Sequence, residues 1–251
     1  MRQISMLLIT AIVVLTSCKK DETNNQTGVF NGAEVTMFGG KAKTWTKLVN
    51  GVPQQLAISI NDASMNSLPT DGVEFETALD LPAQSSFAPF NHVAVDWNPH
   101  GHEPDGIYNV PHFDFHFYMI SKEEQMSIPL YEKDSVKFKN YPAAEYMPAN
   151  YVPIPGGVPA MGTHWVDVTS SELKGQSFTQ TFLYGSYNGK VSFYEPMITL
   201  AFLKNNPTFQ RAIPQPASVM QTGYYPTKLE VQKHDGVTDI ILEEFVYRTK
   251  K

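Results

Sequence analysis

The chain has 251 residues, with 19 basic against 25 acidic side chains and a formal net charge of -6 at pH 7. No cluster of lysine and arginine stands out, and an acidic balance argues against a nucleic-acid-binding protein. A single cysteine excludes a scaffold held by disulfides. The stability must therefore come from a hydrophobic core, which a chain of this length can build as one domain or as two small ones.

The first residues have the features of a bacterial export signal. Arg2 precedes an apolar run over residues 6–15, which is too short to span a bilayer as a mature helix. The residues before Cys18 resemble the lipobox of bacterial lipoproteins, in which the cysteine is acylated and becomes the new N-terminus. The resemblance implies a lipoprotein signal peptide over residues 1–17, with lipidation at Cys18. The alternative is an ordinary signal peptide with an incidental cysteine.

A lipidated Cys18 would place the protein on a membrane of the bacterial cell envelope, where we expect the outer membrane, facing the periplasm or the surface. The lipid anchor is then the contact with the membrane. Residues 18–28 are polar and lack core formers, which predicts a flexible tether; a sorting signal in this stretch is the alternative. Residues 29–251 show no repeat and no composition shift, so we predict a single β-rich domain there.

Short runs rich in threonine, valine, isoleucine and aromatic residues recur along the remainder of the chain, apart from a proline-rich loop over residues 141–159. The predicted strands are residues 34–38, 41–49, 54–60, 73–79, 92–98, 112–120, 178–187, 190–203, 224–234 and 237–248. Asn50-Gly51, Asn188-Gly189 and Asp235-Gly236 predict tight hairpin turns, because both residues of each pair tolerate positive φ. Ser121 and Glu124 form a capping-box pattern that predicts one short helix. Together these signals predict an all-β fold, an antiparallel β-sandwich or barrel with long proline-rich loops.

Five of the seven histidines lie between residues 92 and 118. Side chains alternate between the two faces of a strand. In the predicted strand 112–120, three phenylalanines at positions 113, 115 and 117 therefore share one face, and His112, Asp114 and His116 share the other. The neighbouring strand 92–98 divides in the same way. The pattern predicts an aromatic core layer on one side and a field of imidazoles and carboxylates on the opposite side.

This polar face predicts a metal site, which needs several nitrogen or oxygen ligands within about 2.0–2.3 Å of one point. His112 and His116 lie four residues apart, about 13 Å on a regular strand, so we expect them not to share an ion. The predicted site takes ligands from three places in the chain. The candidates are His100, His102, Glu103, His112, Asp114, His116 and His164. Imidazole ligands suit zinc, copper, iron or manganese. The alternative is a structural hydrogen-bonded network or a solvent-facing surface.

Glu195 lies in a predicted strand on the same face as apolar residues, where burial of an unpaired carboxylate would be costly. Either Pro196 breaks the alternation and Glu195 reaches solvent, or the carboxylate meets a cation, a metal or a histidine. Glu103 and Glu195 are the candidate catalytic groups for proton transfer. Asp167 could orient His164, or it could cap a turn at residues 169–173. No nucleophile elbow and no phosphate-binding glycine loop is present in the sequence.

Three blocks, HGHEPDGIYNVPHFDFHFYMI, VPAMGTHW and GKVSFYEPMITLAFL, resemble an uncharacterised family of bacterial exported proteins. This family is a domain of unknown function typed on a Thermus protein, and the resemblance covers roughly residues 39–203. It implies a secreted β-rich domain without an assigned activity. The order HxH, glutamate and distant histidine is also similar to cupins. The cupin glutamate, however, lies several residues further on than Glu103, and the cupin glycine spacing is absent, so this likeness is an analogy only.

The sequence thus predicts a lipid-anchored envelope protein with a histidine and carboxylate metal pocket. We expect a role in binding or sensing rather than in catalysis, because nothing in the sequence specifies a substrate or another small-molecule ligand. Two alternatives remain open. One is a metal-dependent hydrolase or oxidase. The other is a metal-free module that forms homo-oligomers or recruits a partner.

Overall fold

The computed structural model describes residues 26–251, except residues 73, 86 and 88. The expected signal peptide, Cys18 and residues 18–25 of the expected tether lie outside the described residues. The end of that tether joins the fold: the carbonyl of Gln26 accepts a hydrogen bond of 2.8 Å from the backbone N–H of Gly51, and Gly28 begins the first strand. Nowhere in the described part of the chain is there a helix with the length and apolar character needed to cross a membrane.

Strands make up most of the regular structure. In chain order they are β1 (Gly28–Asn31), β2 (Val35–Met37), β3 (Gly40–Val49), β4 (Val52–Asn61), β5 (Phe75–Asp80), β6 (His92–Asn98), β7 (His112–Tyr118), β8 (Tyr151–Pro153), β9 (Thr163–Asp167), β10 (Gln180–Tyr187), β11 (Lys190–Thr199), β12 (Thr208–Ala212), β13 (Gly223–Tyr225), β14 (Lys228–His234), β15 (Val237–Glu243) and β16 (Val246–Arg248). The helices are α1 (Asp62–Met65), α2 (Lys122–Met126), α3 (Tyr131–Phe138) and α4 (Leu200–Asn205).

The strands form two antiparallel seven-stranded sheets and a small two-stranded ribbon of β13 and β16. The first sheet has the order β1-β3-β4-β15-β14-β12, with β2 also paired to β3. The second sheet has the order β5-β6-β7-β11-β10-β9-β8. The prediction of an all-β antiparallel sandwich is therefore confirmed. The three predicted hairpin turns are present, and all six of their central residues have positive φ.

The two sheets enclose one large apolar cluster. The second sheet contributes Phe113, Phe115 and Phe117 of β7, which are fully buried, and the first sheet contributes residues such as Ile58 and Ile240. This is the aromatic layer that the alternation in β7 predicts. Every residue of β6 and β7 is buried, so the opposite, polar face of these strands is covered as well.

Several elements differ from the sequence-based expectation. The strand predicted over residues 190–203 ends at Thr199, because the hydroxyl of Thr199 accepts a hydrogen bond from the N–H of Phe202 and starts α4. The predicted strand 224–234 is divided into β13 and β14 at Pro226, which has no N–H to donate. The predicted helix is α2, capped by Ser121, and in the described part of the chain three other short α-helices accompany it. Strands β8 and β9 are too short to show an alternating pattern in the sequence.

Three segments cover the polar face of the second sheet: the loop between β6 and β7, the segment between β8 and β9, and the segment of α2 and α3, whose Ile128 and Phe138 pack with Ala94 and Tyr118. The first loop turns at Gly101, whose φ is +70°. A Cβ at this position would lie 2.0 Å from the carbonyl oxygen of Tyr108, so only glycine fits between the two sides of the loop. This close approach places His102, the next residue, over β7.

Candidate metal centre

The polar side chains belong to neighbouring strands of the second sheet. On β6 and β7, Asp96 pairs with Asp114 and Asn98 pairs with His112. On β7 and β11, Tyr194 pairs with Phe117 and Met197 with Asp114, so Glu195 lies beside His116. Further along the same sheet, Gly185 of β10 pairs with His164 of β9. Antiparallel pairing thus brings chain segments far apart in sequence to one face of the sheet.

The first cluster consists of His102, His112 and Asp114, which we call the His112 triad. The Nε2 atom of His112 lies 3.1 Å from Oδ1 of Asp114, and the Nε2 atom of His102 lies 3.2 Å from Oδ2 of the same carboxylate. The two Nε2 atoms are 3.1 Å apart. His112 and Asp114 are buried, whereas the side chain of His102 is 34% exposed.

The other ring nitrogen of each of these histidines already has a partner. Nδ1 of His102 lies 2.7 Å from the carbonyl oxygen of Glu103, and Nδ1 of His112 lies 2.7 Å from that of Val110. A carbonyl only accepts, so both Nδ1 atoms donate, and both neutral rings then carry a lone pair on Nε2. Two lone pairs facing each other at 3.1 Å repel unless a proton or a cation lies between them. Ligating histidines in metal sites are commonly oriented in this way.

The second cluster consists of His116, His164 and Glu195, which we call the His164 triad. The Nε2 atoms of His116 and His164 each lie 3.5 Å from one oxygen of Glu195. His116 is oriented by Asp96, whose Oδ2 accepts a hydrogen bond of 2.7 Å from Nδ1. Within the described residues, neither Nε2 of His116 nor Oε2 of Glu195 has a hydrogen-bond partner. Both atoms are buried, so the triad keeps unsatisfied ligand atoms.

Burial and mutual charge shift the pKa values of the His112 triad. Burial lowers the pKa of His102, but the hydrogen bond and the charge of Asp114 outweigh it and raise that pKa to about 9. Burial would raise the pKa of Asp114, yet His112 and His102 hold it well below its usual value. The carboxylate is therefore ionised at neutral pH. A proton held by His102 is the alternative to a metal ion between the facing ring nitrogens.

The His164 triad is shifted in both directions. Burial opposes the charge on His116, but Glu195 and Asp96 raise its pKa to about 10. Burial and the neighbouring positive charge of His116 lower the pKa of His164 to about 3, so this ring is neutral at pH 7. Burial raises the pKa of Glu195 to about 8. Without an ion, His116 and Glu195 therefore hold protons at pH 7. A metal ion that displaces these protons would meet two imidazoles and a carboxylate, a donor set that metal ions bind.

Both triads open into one cavity of about 240 Å³. Its polar lining includes His102 and Asp114 of the first triad and all three members of the second. The hydroxyl of Tyr108 also lines it and has no hydrogen-bond partner within the described residues. The remaining walls are largely apolar and include Ile154, Val158, Met161, Leu183 and Met197. The arrangement offers ligand atoms, an access route and room for a small molecule in the same place.

The structure brings together five of the seven predicted ligands, but in two clusters rather than one: His102, His112 and Asp114, and separately His116 and His164. His112 and His116 fall in different triads, as their spacing along the strand predicts. His100 is exposed and belongs to neither triad. Glu103 is exposed at the cavity wall, and it is its carbonyl oxygen that contacts His102.

Glu195 lies inside, 1% exposed, where the sequence left its orientation open. Pro196 does not turn its carboxylate to solvent. Asp167 accepts hydrogen bonds from Thr169 and so caps a turn instead of orienting His164. Sequence reasoning did not identify Asp96 as the partner of His116. The signal was available, because Asp96 lies on the polar face of the predicted strand 92–98.

The β-sandwich thus contains two groups of histidine and carboxylate side chains that could hold a metal ion. The suspected membership in a family of exported proteins stays a prediction. Comparisons with protein-family models, with curated proteins and with solved structures give no match to this chain.

Proposed function

We propose that this chain is a lipid-anchored protein of the bacterial envelope that binds a transition metal ion at the His112 triad, with a role in binding or sensing. The main observation in favour of a bound metal ion is the position of the Nε2 atoms of His102 and His112. They face each other at 3.1 Å while each Nδ1 is engaged by a backbone carbonyl. A metal ion bound by both rings and by Asp114 removes the repulsion between the two lone pairs.

The spacing of the ligand atoms supports this proposal. Metal–ligand bonds of about 2.0–2.2 Å, meeting at angles between a right angle and the tetrahedral angle, place neighbouring ligand atoms about 2.8–3.6 Å apart. The three contacts within the triad measure 3.1, 3.1 and 3.2 Å. Two imidazoles and a carboxylate suit zinc, copper, iron or manganese. Three protein ligands also leave a coordination position open toward the cavity.

The test is elemental analysis of the full-length chain, extracted in detergent and purified without chelator or nickel resin. We expect at least one equivalent of a transition metal per chain, and its loss from the His112→Ala variant. His112→Asn, which keeps most of the side-chain volume, guards against a folding defect. His100→Ala serves as the control, because His100 is exposed and outside both triads. Wild-type protein that takes up none of the four metals overturns the proposal.

The membrane anchor is supported by the lipobox-like residues before Cys18 and by the resemblance to exported bacterial proteins. Diacylation at Cys18 would hold the chain on the membrane far more firmly than a single acyl chain. Metabolic labelling with a radioactive fatty acid should label the wild-type chain and not the Cys18→Ala variant. Equal labelling of both chains, or of neither, contradicts the anchor while leaving the metal proposal intact.

A metal-free assembly module is the second candidate. Three exposed apolar side chains on and beside α2 and α3 favour it: Met126 is 72% exposed, Leu130 54% and Val136 79%. In this case the triads would be ion pairs held by protons, and the surface around Val136 would bind a second copy or a partner. The thermal stability would then depend on protein concentration and not on a chelator. The opposite result favours the metal centre.

A metal-dependent hydrolase or oxidase is the remaining form of the first proposal. The open coordination position would activate water or dioxygen, and Glu103 or Glu195 would transfer the proton. Glu195 is the better placed of the two, because it is buried in the His164 triad, whereas Glu103 is exposed. Screens for hydrolysis and oxidation are informative once the bound metal is known.

A further inference from the structure

We infer that the His164 triad holds a second metal ion, and that the two ions together bind a small carboxylic acid in the cavity. This inference rests on the metal centre proposed above and extends it. It assigns a second site, a ligand class and a use for the cavity, none of which the His112 triad alone requires.

The ligand atoms of His116 and Glu195 in the His164 triad are buried. His116 and Glu195 are each only 1% exposed. Nε2 of His116 and Oε2 of Glu195 nevertheless have no hydrogen-bond partner among the described residues, and both side chains line the cavity. A buried polar atom without a partner is costly. A cation between these atoms would satisfy both of them.

The spacing of this triad also fits an ion. The contacts from Glu195 to His116 and to His164 are both 3.5 Å, which is long for a hydrogen bond. It matches the separation of about 3.3–3.6 Å between two ligand atoms of a tetrahedral ion with bonds of about 2.0–2.2 Å. Asp96 binds Nδ1 of His116 and so holds the ring with Nε2 toward Glu195. Metal-bound histidines are commonly oriented by a carboxylate in this way.

The two triads are held side by side by strand β7. Asp114 and His116 are two residues apart on β7, and their side chains leave the strand on the same face about 6.7 Å from each other. Ions that share one bridging oxygen lie only about 3.5–4 Å apart. Two ligand sets that start from this spacing and converge on one cavity favour a bridge that is longer than a single water or hydroxide. A three-atom O–C–O group, with one oxygen on each ion, is such a bridge.

The charge balance of the site favours a ligand with a single negative charge. Two divalent ions bring four positive charges into the site. Three buried carboxyl groups, Asp96, Asp114 and Glu195, face them from β6, β7 and β11, and beside two bound cations each of them is a carboxylate. One positive charge remains, which a carboxylate monoanion neutralises and a phosphate dianion exceeds. Glu74 and Glu103 are exposed at the rim of the cavity, where water screens their charge.

The volume and the lining of the cavity indicate the shape of the ligand. The cavity of about 240 Å³ is smaller than the pockets of about 300–1,000 Å³ that hold drug-sized ligands. Ile154, Val158 and Leu183 form apolar walls beside the triads. The free hydroxyl of Tyr108 is the one hydroxyl group on the cavity wall among the described side chains. This combination suits a small acid with an apolar body, of about the size of benzoate.

The number of bound ions tests the second site. Full-length chain is loaded with zinc, passed over a desalting column and analysed for zinc per chain. We expect two equivalents in the wild type and in His234→Ala, whose side chain lies on the other sheet. We expect one equivalent in His164→Ala and in Glu195→Gln, which preserves the side-chain shape. One equivalent in the wild type, unchanged by both variants, overturns this inference alone. No bound zinc overturns the metal centre as well.

The ligand class is tested by isothermal titration of the zinc-loaded chain with benzoate, benzamide and inorganic phosphate. Benzoate should bind with one equivalent. Benzamide, which has the same shape without the charge, should bind about 30-fold more weakly or worse. His164→Ala and Glu195→Gln should weaken benzoate binding by a similar factor. Equal binding of benzamide, tighter binding of phosphate, or benzoate binding that survives both variants would each refute the bridged carboxylate.

Discussion

Asp96 and His116 form a buried pair in which Oδ2 of Asp96 accepts a hydrogen bond of 2.7 Å from Nδ1 of His116. The pair joins β6 to β7 across the polar face of the sheet. It holds the imidazole ring in one orientation, with Nε2 toward Glu195 and the cavity. A carboxylate that orients a histidine in this way also makes the ring a stronger metal ligand.

The Asp96→Asn variant tests this relationship. Loss of the carboxylate should lower the affinity of the His164 triad for zinc by about 10–100-fold, the usual effect of removing such a partner. The His112 triad should keep its affinity. Competition with a fluorescent zinc indicator measures both sites. Glu76→Gln is the matched control, because Glu76 pairs with Asp96 from the edge strand β5 and is exposed. Equal affinities in Asp96→Asn and wild type would contradict the role given to Asp96.

Two glycines in the loop between β6 and β7 allow a matched comparison. Both have positive φ, +70° at Gly101 and +78° at Gly106, but a Cβ would lie 2.0 Å from a backbone oxygen at Gly101 and would meet nothing within 4 Å at Gly106. Gly106→Ala should cost only the strain of its backbone conformation, about 1–2 kcal/mol. Gly101→Ala should also displace His102 and weaken the metal site about 10-fold or more. Urea unfolding and zinc titration measure the two effects.

His92 should contribute to the loss of stability in acid. Its ring is 2% exposed and stacks on Tyr118, and burial lowers its pKa although the hydrogen bond to Gln125 opposes the shift. The unfolded chain therefore takes up a proton on His92 that the folded chain resists. The contribution is complete above the unfolded pKa of about 6.5 and falls as the pH drops through the lower folded pKa.

The measurement compares the free energies of unfolding of wild type and His92→Gln between pH 7.5 and pH 5, with a chelator present. The advantage of the wild type should shrink as the pH falls. His234→Gln should show the opposite trend, because the hydrogen bond to Asp239 raises the pKa of His234. Stability from such a group is complete below the unfolded pKa and disappears as the pH rises through the folded pKa. The same trend for both variants would refute the assignment.

Phe115 should be among the most costly positions to truncate. Its side chain is fully buried in the cluster between the sheets and stacks on Phe113 with ring centroids 5.6 Å apart. Phe115→Ala should lower the free energy of unfolding by about 3–5 kcal/mol through lost burial and a residual cavity. Val136→Ala, at a position that is 79% exposed, should change it by less than about 0.5 kcal/mol. Similar losses in both variants would place the core elsewhere.

Removal of metal should lower the melting temperature of the wild type. An ion that binds only the folded chain, at a free concentration of 100 times its Kd, adds about 2.7 kcal/mol of stability. A scanning calorimetry run with and without a chelator should therefore show a clear downward shift. The same run on His112→Ala should show a smaller shift. A melting temperature that the chelator leaves unchanged but dilution lowers would favour the assembly module.

Local features of the fold could be predicted because they depend on a few neighbouring residues. The alternation in β7 separates Phe113, Phe115 and Phe117 from His112, Asp114 and His116, since a pleated strand directs successive side chains to opposite faces. The turn at Asn188-Gly189 follows from the tolerance of both residues for positive φ. The capping box at Ser121 correctly located the start of α2.

The composition of the site was decided by the tertiary structure. The strand order β6-β7-β11-β10-β9 determines that His164 and Glu195 meet His116, while the tight turn at Gly101 brings His102 to His112 and leaves His100 exposed. Sequence spacing does not contain this information, because hydrogen-bonded pairing between distant segments, rather than any local pattern, sets which side chains converge. The residue types on the polar face were readable from the sequence; their division into two triads required the sheet.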